Sequence, residues 1–227
     1  MMLRVPDVLS APAVARVRSL IESADWSDGR NAAGAQAMAT RNNRQLPEDG
    51  KAARALVLEG LSQNALLFTA ALPKKIFPPL FNRYDGRSNE FSNHVDSAVR
   101  TWTPTGTHVR TEIAATLFLS DPREYDGGEL VVEDSFGPQA AKLRAGELLL
   151  YPASSVHRVH RVDPVTRGTR LASFFWVESM VGNDEQRGLL YELDMAIYNL
   201  RNRHGENAEL IRLTGCYHHL MRMWASA

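Results

Sequence analysis

Between Leu80 and Val177 this chain is built from short apolar runs, each closed by Gly, Pro or Asp, and that alternation limits its fold more than any other feature. The runs are too short for ordinary helices, and turn-forming residues end each one, which is the pattern of a β-rich barrel or sandwich. The spacing predicts strands over residues 80–84, 91–96, 112–119, 129–133, 147–151, 156–162 and 169–177. On either side the period changes to that of a helix. Ser10 stands before Ala11 and Pro12, and Val14, Val17, Leu20 and Ile21 follow at helical spacing, so a capped helix is expected over 11–24. Ala52, Leu56, Leu58 and Leu61 predict a second helix over 51–64, whereas Trp26 to Gly50 shows no sustained period. Beyond Val181, Leu189, Leu190, Leu193, Ile197 and Leu200 return to helical spacing, and Leu210, Leu213, Leu220 and Met221 extend it. The expected organisation is a helical or irregular segment over 1–74, a functional β core over 75–180 and a helical extension over 181–227, packed as one mainly β, α+β unit.

Composition narrows the function. At 227 residues and 44% hydrophobic content the chain can bury a sizeable core. Lys plus Arg and Asp plus Glu both number 26, so no overall field draws it to nucleic acid or anionic lipid, and a small molecule or a specific protein surface is the expected partner. The single cysteine, Cys216, excludes an intramolecular disulfide and a four-thiolate zinc site. Any metal must be held by His, Asp or Glu. The N-terminus lacks the charged-then-apolar pattern of a signal peptide, and no stretch approaches the roughly 18 apolar residues of a membrane span. A soluble, cytoplasmic protein is expected.

Within the β region, His94-Val95-Asp96 places an imidazole and a carboxylate at i and i+2, on one face of an extended chain. By itself a His-x-Asp is weak, since most such pairs sit on surfaces. About sixty residues on, however, another expected strand carries His157 and His160. Two histidines and one carboxylate on a face are the ligand set of non-haem Fe(II) oxygenases, which leave positions open for co-substrate and oxygen. Arg170 begins a run in which alternation puts Arg170, Ala172, Phe174 and Trp176 on one side. A guanidinium on the inner face of a barrel is costly without an anionic partner. The bland account is an internal salt bridge; the functional one is a bidentate clamp on the distal carboxylate of a dicarboxylate ligand.

These features, with Phe81-Asn82-Arg83-Tyr84, Thr116 to Ser120, Tyr125 to Leu130, Leu150-Tyr151-Pro152, Pro164 to Gly168 and the C-terminal Thr214 to His218, make the chain resemble the bacterial PKHD-type hydroxylases, a branch of the Fe(II)/2-oxoglutarate dioxygenases related to prolyl 4-hydroxylases. The resemblance spans nearly the whole chain. It implies a double-stranded β-helix, a jelly-roll or cupin-like barrel with N- and C-terminal helices packed on it and the metal at its open end. It also implies Fe(II), 2-oxoglutarate, O2 and ascorbate as cofactors or co-substrates, and decarboxylation of 2-oxoglutarate to succinate coupled to hydroxylation of a small-molecule or peptide substrate. By the same likeness His94 and Asp96 match iron ligands, Arg170 the residue that anchors the distal carboxylate, and Tyr84 a tyrosine that hydrogen-bonds the co-substrate; Tyr84 as a core aromatic is the plain alternative. Gly127-Gly128 is expected as a structural turn and Trp176 as pocket wall or core.

The third ligand is open, because Val156-His157-Arg158-Val159-His160-Arg161-Val162 doubles a His-Arg-Val where the family has one His-x-Val. Counting forward from Tyr151-Pro152 selects His157; counting backward from Pro164 and Arg170 selects His160. Three residues is an odd step, so regular β structure turns the two imidazoles to opposite faces. His160 is preferred, since an insertion in a loop after Pro152 is absorbed more easily than one that shifts the register towards Arg170; a bulge would reverse this. His108, His204, His218 and His219 fit no ligand spacing. Arg100, Arg110 and His108 lie near the mouth between metal dipeptide and next strand, in a span from Val99 to Arg110 that could act as a lid, but they read as a solvated loop. Three alternatives remain: a halogenase, which Asp96 argues against; an iron- and 2-oxoglutarate-binding sensor without turnover; and a cupin-like hydrolase or isomerase, which would have no use for Arg170. The C-terminal helices could pack on their own barrel or on a twofold mate, and a homodimer is a reasonable expectation.

Overall fold

The computed structural model describes residues 2–32, 41–46, 50–134, 137–153 and 159–226. Its described strands are β1 (Leu3–Val5), β2 (Ser27–Asp28), β3 (Arg41–Asn42), β4 (Arg44–Gln45), β5 (Pro73–Ile76), β6 (Leu80–Asp85), β7 (Glu90–His94), β8 (Val99–Trp102), β9 (Thr107–Arg110), β10 (Ile113–Phe118), β11 (Tyr125–Gly127), β12 (Leu130–Asp134), β13 (Gly137–Ala141), β14 (Leu148–Pro152), β15 (Val159–Val162) and β16 (Val165–Ser179). Its described α-helices are α1 (Ala11–Glu22), α2 (Lys51–Gln63), α3 (Ala65–Ala71), α4 (Asp184–His204) and α5 (Ala208–Trp224). Among the described residues nine strands form a large sheet, with the order β1-β14-β10-β16-β6-β4-β2 and with β5 and β11 also pairing β16. Five strands, β13-β12-β15-β7-β3, form a smaller sheet, and β8 and β9 make a separate hairpin.

The large sheet is covered on both faces, which is why its central strands read as apolar runs rather than as a strict alternation. Every residue of β10 and of β14 is buried. Period-two geometry still sorts their side chains. Ala115, Leu117, Leu148, Leu150, Leu171, Phe175 and Val177 face Val14, Val17 and Ile21 of α1, Val57 and Leu61 of α2, and Leu67 of α3. Ala114, Phe118, Leu149, Tyr151 and Trp176 face Phe91, Leu130, Val132 and Val162 of the smaller sheet. The functional side chains lie in this second layer, between the sheets.

Helix ends follow local chemistry. The Ser10 side chain caps α1 by accepting from the Ala13 N–H, with Pro12 in the first turn. Asn64 ends α2 and starts α3, where its side chain accepts from the Leu67 N–H at 2.9 Å. At the other end of the chain, Leu72, Val181 and Leu190 form a small apolar cluster with Tyr217, Leu220, Met221 and Trp224. The Thr69 hydroxyl donates to Asp194 at 3.1 Å, which ties α4 to α3. No helix among the described residues is long and apolar enough to cross a membrane.

Two expectations need correction here. The span from Val99 to Arg110, read from sequence as a solvated loop, is the β8–β9 hairpin, paired from Val99↔Arg110 to Trp102↔Thr107. Strand β7 ends at His94 rather than running through residue 96, so Asp96 lies two residues past the strand. His157 lies outside the described residues.

Candidate metal centre

His94 closes β7, and β15 lies beside it with His160 directly opposite. The register between these strands slips once, so that Val162 faces Phe91 and three residues of β7 span two of β15. Such a bulge brings residues an odd number apart onto one side. Phe91 and His94 are therefore stacked, with ring centroids 3.5 Å apart and planes 13° from parallel. The His94 and His160 rings sit 4.1 Å apart, both buried. Asp96 turns in from beyond the strand, and one donor atom from each of His94, Asp96 and His160 lies within 4.8 Å of the other two.

Each donor is prepared. The Ser92 carbonyl, 2.8 Å from His94 Nδ1, accepts its N–H and leaves Nε2 as the free electron pair. Burial drives both imidazoles down to a pKa of about 4, aided at His94 by the neighbouring His160, so both are neutral near pH 7. Burial pushes the Asp96 carboxyl up, against the opposing pull of its hydrogen bond from Trp176. That bond, from the indole N–H to Asp96 Oδ2 at 2.8 Å, fixes one carboxylate oxygen. Trp176 is both pocket wall and core, as expected, and its N–H adds a donor role that its place on the face shared with Arg170 allowed. Two neutral imidazoles and one oriented carboxylate on one side suit a divalent iron with open positions.

Arg170 is 1% exposed, yet none of its three guanidinium nitrogens has a hydrogen-bond partner among the described residues. It lies opposite Tyr84 in the β16–β6 register, and its carbon Cζ is 5.2 Å from the ring centres of both Tyr84 and Phe118. Aromatic faces compensate a cation only in part, and a buried guanidinium fork aimed into a cavity fits a carboxylate. The buried Tyr84 hydroxyl accepts a long bond from Asn82, at 3.4 Å. The internal salt bridge that sequence left open for Arg170 is absent among the described residues. Gly128, at φ +69°, leaves room for this arginine: a Cβ there would lie 3.1 Å from Arg170 Cδ and 2.8 Å from Val165 Cγ2. One cavity gathers Tyr84, His94, Asp96, His160, Arg170 and Trp176.

Other candidates lie elsewhere. Exposed Arg110 pairs with Glu112 at 2.6 Å and Glu178 at 3.6 Å, and His108 bonds to Thr101. His204, His218 and His219 are exposed. Arg100 departs from the solvated-loop reading, because its guanidinium lies 4.6 Å over the Trp176 ring, beside the metal cluster.

Comparison with known proteins bears on the same features. The 2OG-Fe(II) oxygenase superfamily profile matches residues 79–178, and the PKHD-type hydroxylase C-terminal domain profile matches residues 184–226. A PKHD-type hydroxylase from Polaromonas sp. is 53% identical over 228 residues, covering 99% of both chains. Among solved structures, the fold is similar to that of HygX from Streptomyces hygroscopicus with nickel and 2-oxoglutarate bound (15% identity, TM-score 0.54, 78% of this chain and 82% of that one). It is also similar to that of a Trichoplax adhaerens prolyl hydroxylase in complex with a hypoxia inducible factor peptide fragment (15% identity, TM-score 0.53, 83% and 86%). Near-complete coverage by the Polaromonas relative, joined to a two-histidine, one-carboxylate cluster and a buried arginine awaiting an anion, means that the chain belongs to the PKHD-type hydroxylases, Fe(II)- and 2-oxoglutarate-dependent enzymes.

Proposed function

We propose that this enzyme hydroxylates an unactivated C–H bond of a small-molecule or peptide substrate, converting O2 and 2-oxoglutarate to succinate and CO2 as one oxygen atom enters the product. The observation that carries this reading is Arg170, a fully buried cation without a hydrogen-bonding acceptor among the described residues, in the cavity that holds His94, Asp96 and His160. In this reading His94, Asp96 and His160 hold Fe(II), while Arg170 grips the distal carboxylate of 2-oxoglutarate with two parallel N–H bonds. Tyr84, opposite Arg170 in the register, offers its hydroxyl to the same co-substrate. When bound, the iron supplies oxygen activation at its open positions. The protein supplies the rest: it orients both anions, keeps the histidines neutral and excludes water with Phe91, Tyr151 and Trp176. We further infer that the two sheets form a double-stranded β-helix over 75–180, with 1–74 and 181–227 packed on it.

The test is stoichiometric. Purified protein with Fe(II), 2-oxoglutarate and O2 is expected to release succinate without added substrate, and a metabolite and peptide screen should then yield a product heavier by one oxygen. No succinate under any of these conditions would leave only a binding module.

A further inference from the structure

Beside the metal cavity lies a second one, of about 250 Å³, whose lining includes Arg41, Phe77, Leu80, Arg100, Trp102 and Phe174. Arg41 and Phe174 line both cavities, so the second abuts the first, whereas Arg170 lines only the first. Two guanidiniums enter it from distant parts of the chain, Arg41 from β3 and Arg100 from β8. Arg41 is 8% exposed; among the described residues it donates one long bond, from Nη1 to the Gly29 carbonyl at 3.3 Å, and its Nε has no partner. Its charge otherwise rests on the Phe91 ring at 4.6 Å. Arg100 lies over Trp176 at 4.6 Å and Phe77 at 5.8 Å. Among the described residues no carboxylate pairs with either at ion-pair distance; Asp96 is the acidic group that acts on both, and it is committed to Trp176 and the metal cluster. Several arginines elsewhere are matched, as Arg110 is with Glu112, Arg83 with Asp85 and Arg161 with Asp163. Burial works against both charges, and at Arg41 the nearby Arg100 adds to it. Two desolvated cations converging on one cavity call for an anion.

We propose that this second cavity is the subsite for an oxyanion on the substrate, which is a small flat molecule whose carboxylate or phosphate lies between Arg41 and Arg100 and whose ring lies against Phe77, Trp102 and Phe174. The proposal rests on the oxygenase reading only in taking the reacting carbon to sit at the metal cluster next door. Size favours a small molecule over an acidic peptide, because about 250 Å³ is below the roughly 300–1,000 Å³ of cavities that hold drug-sized ligands. Trp102 meets Phe77 edge to face at 5.7 Å, giving the ring-shaped portion an aromatic wall.

The experiment uses anaerobic protein loaded with Fe(II) and saturating 2-oxoglutarate, so that Arg170 is engaged and no turnover occurs. Benzoate, phenyl phosphate and neutral benzamide are titrated, with tryptophan fluorescence and calorimetry as readouts. The anionic probes are expected to bind at least about tenfold more tightly than benzamide. Arg100→Gln and Arg41→Gln should each weaken anion binding on the order of tenfold to a hundredfold while leaving benzamide unchanged, and Arg100→Lys should recover part of the loss. If Arg41→Gln fails to fold, the half-buried Arg100 decides alone. Equal binding of benzoate and benzamide, anion binding that survives in Arg100→Gln, or tighter binding of an acidic peptide such as acetyl-Asp-Asp-Phe-amide than of any small anion would each overturn the proposal. Failure of the oxygenase reading is separate: it appears as absent succinate from the wild-type protein in air and leaves these binding constants as they are.

Discussion

At Trp176 a single N–H holds one oxygen of Asp96, and the ring packs edge to face on Phe77. Replacing Trp176 with Phe keeps most of the packing and removes the donor. Anaerobic Fe(II) titration is expected to give an affinity lower by about tenfold, in the range found when partners of metal ligands are removed; an unchanged affinity would mean that Asp96 orients itself unaided. Arg170→Ala should weaken 2-oxoglutarate by roughly a hundredfold, the loss of a charge-assisted bidentate pair worth about 3 kcal/mol. Calorimetric titration with 2-oxoglutarate checks this, and Arg170→Lys should fall between the two. His94, Asp96 and Arg170 were legible in the sequence because a spacing of two and a charge in an apolar strand are local signals. Trp176 as a donor to Asp96 was not, since the partners are 80 residues apart and only the sheet packing brings them together. His160 emerged from counting back from Arg170, and the structure brings it to the cluster.

At the scale of elements, the seven expected strands all correspond to observed ones, because each is bounded by turn residues and buried on at least one face. What escaped was short or decided by partners. Helix α3 reads ALLFTAA, too brief and too uniformly apolar to display a period, and its only signal was the Asn64 cap. The β8–β9 hairpin pairs only with itself among the described strands, and its exposed threonines look like any loop. In the C-terminal helices the helical period was real but overstated the buried face: Leu190 and Ile197 are buried, whereas Leu189 is 55% exposed and Leu200 39%. The turn after β11 offers a test of an element supporting the site. Gly128→Ala puts a side chain at φ +69° and within 2.8 Å of Val165 and 3.0 Å of Tyr125. Urea unfolding should show a loss of about 2 kcal/mol, from left-handed strain and crowding. The displaced Arg170 should also weaken 2-oxoglutarate binding. A stable variant with intact co-substrate affinity would mean that the turn relaxes without reaching the arginine.

For the whole molecule, the metal cluster sets a dependence of stability on pH. His94 and His160 titrate near 4 in the folded protein because they are buried, against about 6.5 when unfolded. As pH falls from 6.5 to 4 the unfolded chain binds protons that the folded one refuses, so stability drops through that window. Asp96, raised by burial, takes up its proton first in the folded state and offsets part of the drop. Calorimetry of the metal-free protein should therefore show a melting temperature lower by several degrees at pH 4.5 than at pH 7, and the double variant His94→Gln, His160→Gln should flatten that slope. The same global view bears on β16, the 15-residue strand that holds Arg170 on the inner face, Trp176 six residues on, and Leu171 and Phe175 against the helices. Gain or loss of a single residue between 170 and 176 would turn every later side chain to the opposite face, sending Trp176 towards α1 to α3 and its indole N–H away from Asp96. Length change in this chain is therefore open to the ends of the hairpin and the surface turns, while β16 behaves as a reading frame, able to accept altered letters but no insertion.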